Sequence, residues 1–171
     1  MQTWDAVRAR RNVRGYEDRA LRPEDLDRIL EAAWRTPSSM NDQPWDFVVC
    51  TQRETLRRLA QTWVYAEHVA GSAATVALIA THTTDQDTRD WIFYDMGQAT
   101  MSMALVAADL GIGSSHAGVD DQALARELLG LPEDRFCVGL IAFGFPADRP
   151  LKPILRPDRR PFDQVVHRER W

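Results

Sequence analysis

Three arginines fall within five positions in "RRNVRGY" (Arg10, Arg11 and Arg14), and a second group, Arg156, Arg159 and Arg160, stands near the other end of the chain in "ILRPDRRPF". Guanidinium is planar, permanently charged and offers forked donors, so it suits phosphate and other dense anions. Spacing alone leaves two readings of each cluster open: a solvated face, or one wall of an anion pocket. Under the second reading, the two clusters converge on a single phosphate. The chain as a whole is acidic, with formal net charge −4 over 171 residues and 27% charged residues. It therefore lacks the broad basic excess of a nucleic-acid binder.

Other chemistry has weaker support. "GIGSSHAG" contains Gly111, Gly113 and Gly118, but its spacing departs from the dinucleotide fingerprint. It also follows a predicted helix, where that fingerprint must follow a strand. The segment reads as a glycine-terminated helix leading into a turn, whose backbone N–H groups are free to meet a polar ligand edge. There is no Walker sequence and no nucleophile elbow, and Ser38 and Ser39 stand beside Pro37 with no evident base. His68, His82, His116 and His167 are scattered without metal-ligand spacing, so no metal site is expected; His116 alone has glycine neighbours. Cys50 and Cys137 lie in apolar runs and read as buried free thiols, which suits a reducing cytoplasm.

The elements that must position these residues follow from periodicity and caps. "TWDAVRAR" is a short helix with Thr3 available as N-cap. "RPEDLDRILEAAWR" is a stronger one, with Pro23 at the first helical position, Glu24 and Asp25 at the positive end of the dipole, and a stripe of Leu26, Ile29, Leu30 and Ala33. "PSSMNDQP" breaks it as a loop. "WDFVVC" reads as a strand, "TQRETLRRLAQTW" as a helix capped by Thr51, and "ATVALIAT" as a fully buried strand. The polar "THTTDQDTRD" reads as a loop. A long helix then runs from about Asp90 to Leu110, apolar around most of its circumference and hence central. "DDQALARELLG" is a helix capped by Asp120 or Asp121 and closed by Gly130, and "FCVGLIAFGFP" is a third strand. The tail from Pro146 to Trp171 holds five of the nine prolines; it is expected to be extended and to pack on something, a second subunit included. The order argues for one α+β or α/β domain over residues 1–171.

No signal or transit peptide is visible in "MQTWDAVRARR". Asp95, Gln98 and Asp109 interrupt the longest apolar stretch, which excludes it as a membrane span.

Taken in order, the motifs resemble the nitroreductase family of FMN-dependent oxidoreductases. "RRNVRGY" is similar to that family's R-R-S-x-R-x-[FY], and "PSSMNDQPWDFVV" to its P-S-x-x-N-x-Q-P-W-x-F. "YDMGQATMSMALVAADLGIG" resembles its long-helix motif, and "LLGLPED", "FGFP" and "RRPFDQVVHRERW" complete the series. The resemblance implies a nitroreductase-like α+β fold, with a central mixed or antiparallel sheet flanked by helices, in an interlocked homodimer. It implies FMN held by Arg10, Arg11 and Arg14 at the phosphate and ribityl oxygens, with Asn12 near the flavin's polar edge. Arg159, with Arg160 or Arg156, would close on the same phosphate. Pro37, Ser38, Ser39, Asn41 and Gln43 would come from the partner subunit, and Ala117 and Gly118 would place backbone N–H groups by flavin N5 and O4. The implied activity is hydride transfer from NADH or NADPH, through flavin N5, to a small-molecule acceptor such as a nitroaromatic or quinone. No protein acid, base or nucleophile is assigned, because the flavin carries the chemistry. Two other readings on the same fold are a flavin oxidase or dehydrogenase using oxygen, and a flavin-storing protein without turnover.

The sequence departs from the family pattern at three places. Asn12 replaces the usual serine, "SSHAG" stands where many members have another turn, and "TWVYAEHV" offers no clear ligand for the flavin's pyrimidine edge. The short span between "WDFVVC" and "ATVALIAT" implies an open flavin face and a broad or bulky acceptor.

Overall fold

The run Ala74–Thr81 (β2) is apolar on both sides, and both sides are buried, which places it in the middle of a sheet. In the computed structural model, which describes residues 1–171, β2 pairs with Asp46–Cys50 (β1) on one side and Arg135–Gly144 (β4) on the other. A further strand, Gly113–Ala117 (β3), pairs with the outer edge of β4, giving the order β1-β2-β4-β3. Every pairing among these four strands is antiparallel, so the chain is α+β with an antiparallel four-stranded sheet.

The six helices are α1 (Thr3–Ala9), α2 (Pro23–Trp34), α3 (Arg53–Leu59), α4 (Glu67–Ala70), α5 (Gln86–Asp109) and α6 (Gln122–Leu129). Alternation along the strands sorts them into layers. Val76, Leu78, Ala80, Ile141 and Phe143 face α2 and α5, with Ile29, Ala33, Met96 and Met103 in the same core. Ala77, Ile79, Leu140 and Ala142 face the opposite way, onto Leu56 and Leu59 of α3, Val69 of α4 and Ala125 of α6.

Local signals were accurate where a side chain had a partner within one turn. Asp121 caps α6 by accepting from the Leu124 N–H at 2.9 Å, and Gly130 closes it at φ +63°. The threonine caps do not form: Thr3 lies inside α1, and α3 starts after Gln52, beyond Thr51. The polar segment before α5 is only partly a loop. Asp85 Oδ2 accepts from the Thr88 N–H at 2.8 Å and starts the helix at Gln86 rather than Asp90.

Three expectations need correcting. The glycine-rich segment after α5 is a strand and not a turn, because β4 and the arginine segment offer it backbone partners. The helix α4 was not foreseen. Finally, α5 is buried on one side only: Met96, Ala99 and Met103 lie in the core, while Trp91, Tyr94 and Met101 are exposed because nothing in this chain covers them.

Beyond Gly144 the tail has no regular structure except the single turn Phe162–Gln164. It touches α1 where the Ile154 N–H donates to the Arg8 carbonyl at 3.0 Å, and every residue from Ile154 to Trp171 is exposed. Cys50 and Cys137 are free and buried. No helix is long and apolar enough to cross a membrane.

Candidate functional site

The arginine segment is fixed by the edge of the sheet. Asn12 forms a parallel bridge with Ser114, the Val13 N–H donates to the Ser114 carbonyl at 3.0 Å, and Tyr16 bridges Pro146. Val13 is buried, while Asn12 and Arg14 on either side of it are exposed, as an extended backbone requires. Two glycines make room for the contact. A Cβ on Gly113 would lie 2.6 Å from Val13 Cγ2, and one on Gly144 would lie 2.7 Å from Tyr16 Cδ1. Desolvation, partly offset by Arg14, holds the half-buried Tyr16 hydroxyl in its protonated form.

The three arginines then diverge. Arg11 turns to the tail, where its Nη2 donates to Asp148 Oδ1 at 2.6 Å and to the Arg149 carbonyl at 3.0 Å. That pair holds the Asp148 carboxyl below the usual carboxylate range. Arg10 and Arg14 have no carboxylate partner. Arg10 lines a cavity of about 650 Å³ with Arg8, Trp4, Met101 and, from the tail, Ile154 and Arg159. The two basic clusters, which lie far apart in sequence, thus meet at Arg10 and Arg159. Within the tail, Arg159 Nη1 donates to the Asp158 carbonyl and Arg160 Nη2 to that of Gln164; Arg160 and Arg156 stay outside this cavity.

Arg14 faces a second cavity of about 780 Å³, walled by Tyr16, Trp63, Tyr65, His68 and His116. The aromatic residues come from the stretch "TWVYAEHV", where sequence offered no assignment. Trp63 and Tyr65 meet edge to face at 5.0 Å between ring centroids, and the Trp63 ring packs over the Cα of Gly118, 3.4 Å from where a Cβ would stand. Ala117 ends β3 and Gly118 follows it. No spacing in the sequence announces this wall, which forms where Trp63 packs on Gly118 and His68 of α4 lies beside the backbone of Ser115 and His116.

His68 and His116 tie the two cavities together electrostatically. The His68 pKa is lowered from 6.5 by burial and then by Arg14, against neighbouring backbone carbonyls that raise it. The His116 pKa is lowered by desolvation, then by Arg10 and by His68. Arg10 and Arg14 therefore place positive charge near His116 and His68, whose own rings burial holds towards the neutral form. His116 also lines a third cavity of about 230 Å³ with Phe93, Gly97, Thr100 and Ala117.

The loop Pro37–Gln43 lies elsewhere. None of Pro37, Ser38, Ser39, Asn41 and Gln43 lines the cavities that hold Arg10, Arg14 or Arg159. It is nevertheless held in one shape. The buried Asp95 on α5 accepts from the Ser39 N–H at 3.0 Å, and Ser38 Oγ accepts from the Gln43 N–H at 2.9 Å. Met40, Asn41 and Gln43 all have positive φ, between 50° and 59°. Conformations of this kind in non-glycine residues cluster where backbone is shaped for a ligand or partner.

A sheet whose edge presents unpaired arginines beside an aromatic wall suits an anionic, flat heterocyclic ligand. The chain belongs to the nitroreductase family, whose model matches residues 7–65 and 60–145. A protein of Archaeoglobus fulgidus provisionally named NADH dehydrogenase/NAD(P)H nitroreductase is 32% identical over 96% of both chains. The FMN reductase [NAD(P)H] of Bacillus subtilis is 28% identical over 94% of this chain and 71% of its own length. Among solved structures, a protein of Clostridium acetobutylicum provisionally named NADH oxidase superposes with a TM-score of 0.85 at 26% identity, over 98% of this chain and all of that one. An FMN-dependent nitroreductase of Clostridium difficile, at 24% identity and TM-score 0.83, shares the fold.

Proposed function

We propose that this protein is an FMN-dependent NAD(P)H oxidoreductase that passes electrons to a nitroaromatic, a quinone or a similar small acceptor. The observation that carries the reading is the meeting of Arg10 and Arg159 in one cavity with no carboxylate to neutralise them. Uncompensated guanidinium groups brought together from the two chain ends repel each other, and a phosphate removes that cost. The residues present fit the cofactor in a second respect. Arg14, the rings of Trp63 and Tyr65, and His68 surround a space for a flat ring with polar edges.

When bound, FMN supplies the redox chemistry between nicotinamide and acceptor. The chain's own contribution is to hold and tune it. Arg10 and Arg159 anchor the phosphate end, with Arg160 nearby in the tail. Arg11, through Asp148, fixes the path of that tail. Arg14, Asn12 and the backbone of Ala117 and Gly118 orient the polar edges of the ring, and the positive charge of Arg10 and Arg14 favours added negative charge. Pro37, Ser38, Ser39, Asn41 and Gln43 reach the cofactor from the partner of a homodimer. In support, that loop is held by Asp95 and Ser38 and is mostly exposed, and Trp91, Tyr94 and Met101 leave an apolar stripe of α5 uncovered.

Anaerobic titration of the FMN-loaded protein tests the reading. Loss of the oxidised flavin absorbance on adding NADH or NADPH, and its return on adding a quinone or nitroaromatic, is the expected result. A yellow protein that neither nicotinamide bleaches contradicts the reductase reading, and a protein that takes up no FMN contradicts the flavin reading altogether.

A further inference from the structure

One buried polar atom of a residue that lines the Arg14 cavity has no partner. His68 is only 7% exposed, yet its Nε2 makes no hydrogen bond, although buried polar atoms are ordinarily satisfied. The surroundings of the ring pull its charge in opposite directions. Burial and the Arg14 guanidinium oppose the imidazolium; the backbone of Tyr65, Ser115 and His116 beside the ring favours it. The remaining titratable groups near it are His116 on β3, with Arg10 beyond it, Tyr16 on the arginine segment and Glu67 on α4. Of these charges the one acting on the ring is the Arg14 guanidinium, and with burial it favours the neutral form. A negative charge entering the same space tips it to the imidazolium form.

Resting on the flavin reading and deepening it, we propose that His68 stores the proton that accompanies electron delivery: its imidazole is neutral in the oxidised protein and takes one proton from solvent when NAD(P)H has reduced the site. The balance closes over a full cycle. NAD(P)H gives up two electrons and one proton and leaves as NAD(P)⁺, while a second proton passes from solvent to His68. A quinone, or another two-electron, two-proton acceptor, then removes both electrons and both protons, and His68 returns to neutral. The residue keeps added negative charge in the cavity compensated and holds a proton close to the acceptor. It forms no bond to either substrate.

The test is the midpoint potential of the FMN-loaded protein measured across neutral pH, in wild type and in His68→Gln. The wild-type potential is expected to fall with pH at the slope of two protons per two electrons near neutrality, bending to the one-proton slope at higher pH. The variant, with FMN still bound, is expected to follow the one-proton slope throughout. The same bend in His68→Gln overturns the proposal, because another group then takes the proton. A count on the wild type covers the case of a variant that fails to fold. Anaerobic reduction by NADH near neutral pH, followed with an indicator dye, is expected to consume close to one proton per FMN, and none consumed overturns the proposal. Absence of FMN binding overturns the flavin reading, and this proposal with it.

Discussion

Arg10 and Arg11 are adjacent and chemically identical, yet their surroundings separate their roles. Arg10 faces a cavity shared with Arg159, while Arg11 is tied to Asp148 and the Arg149 carbonyl. Arg10→Ala should therefore remove a direct charge-assisted contact and weaken FMN binding by roughly 1.5–3 kcal/mol, about ten- to a hundredfold. Arg11→Ala should cost less, acting through the path of the tail. Fluorescence titration with FMN checks both, and an Arg11 variant that loses more affinity than the Arg10 variant reverses the assignment. His68 makes a separate prediction about stability. Its folded-state pKa is lowered below 6.5, so above that pH it is neutral in both folded and unfolded chains and adds no pH dependence. As pH falls below 6.5 the unfolded chain takes the proton first, and stability is lost progressively towards the folded pKa. Thermal melts should show Tm falling in this acid window, with a shallower fall in His68→Gln. An equally steep fall in the variant would show that other groups control it.

At the scale of elements, the site depends on how closely one extended segment approaches an edge strand. Gly113 has Val13 where a Cβ would stand, at 2.6 Å. Gly113→Ala should push "RRNVRGY" away from β3, costing about 1–3 kcal/mol as other overpacked contacts do, and should loosen FMN retention in parallel. An unchanged Tm would mean that the segment is not held by this contact. Much of the element pattern was legible in the sequence: β2 from its continuous apolar run, α2 from Pro23 and its stripe, α6 from Asp121 and Gly130. These signals are local, with cause and effect within one turn. What stayed hidden was nonlocal. β3 is a strand because β4 and Val13 pair with it, and the segment from Trp63 into α4 brings Trp63, Tyr65 and His68 to Arg14 through packing that no spacing encodes. The caps expected from Thr3 and Thr51 failed because each helix starts one residue away from where its threonine could have acted as cap. The arginine clusters themselves were visible, but their meeting was not: composition cannot bring residue 10 to residue 159.

At the scale of the whole molecule, the chain leaves apolar surface that a free monomer would expose to water. Trp4, Trp34, Met40, Trp91 and Tyr94 are exposed together with Leu155, Phe162 and Trp171 of the tail. Burial of such surface between two copies would cover α5 and give the tail a surface to lie on. The proposed role of Pro37–Gln43 as the partner's contribution to the site requires such a dimer. Light scattering should therefore give twice the 19.5 kDa chain mass, whereas a monomer at micromolar concentration would remove the second subunit from the site.

The grip of guanidinium groups from the two chain ends on one phosphate is the core of the proposed site. It is tested most directly by comparing FMN with riboflavin, which differs only in lacking that phosphate. The wild-type protein should bind FMN at least about tenfold more tightly, as expected for a charge-assisted contact. In Arg10→Ala combined with Arg159→Ala the two ligands should bind nearly alike. Equal affinity for FMN and riboflavin in the wild-type protein would contradict the claim.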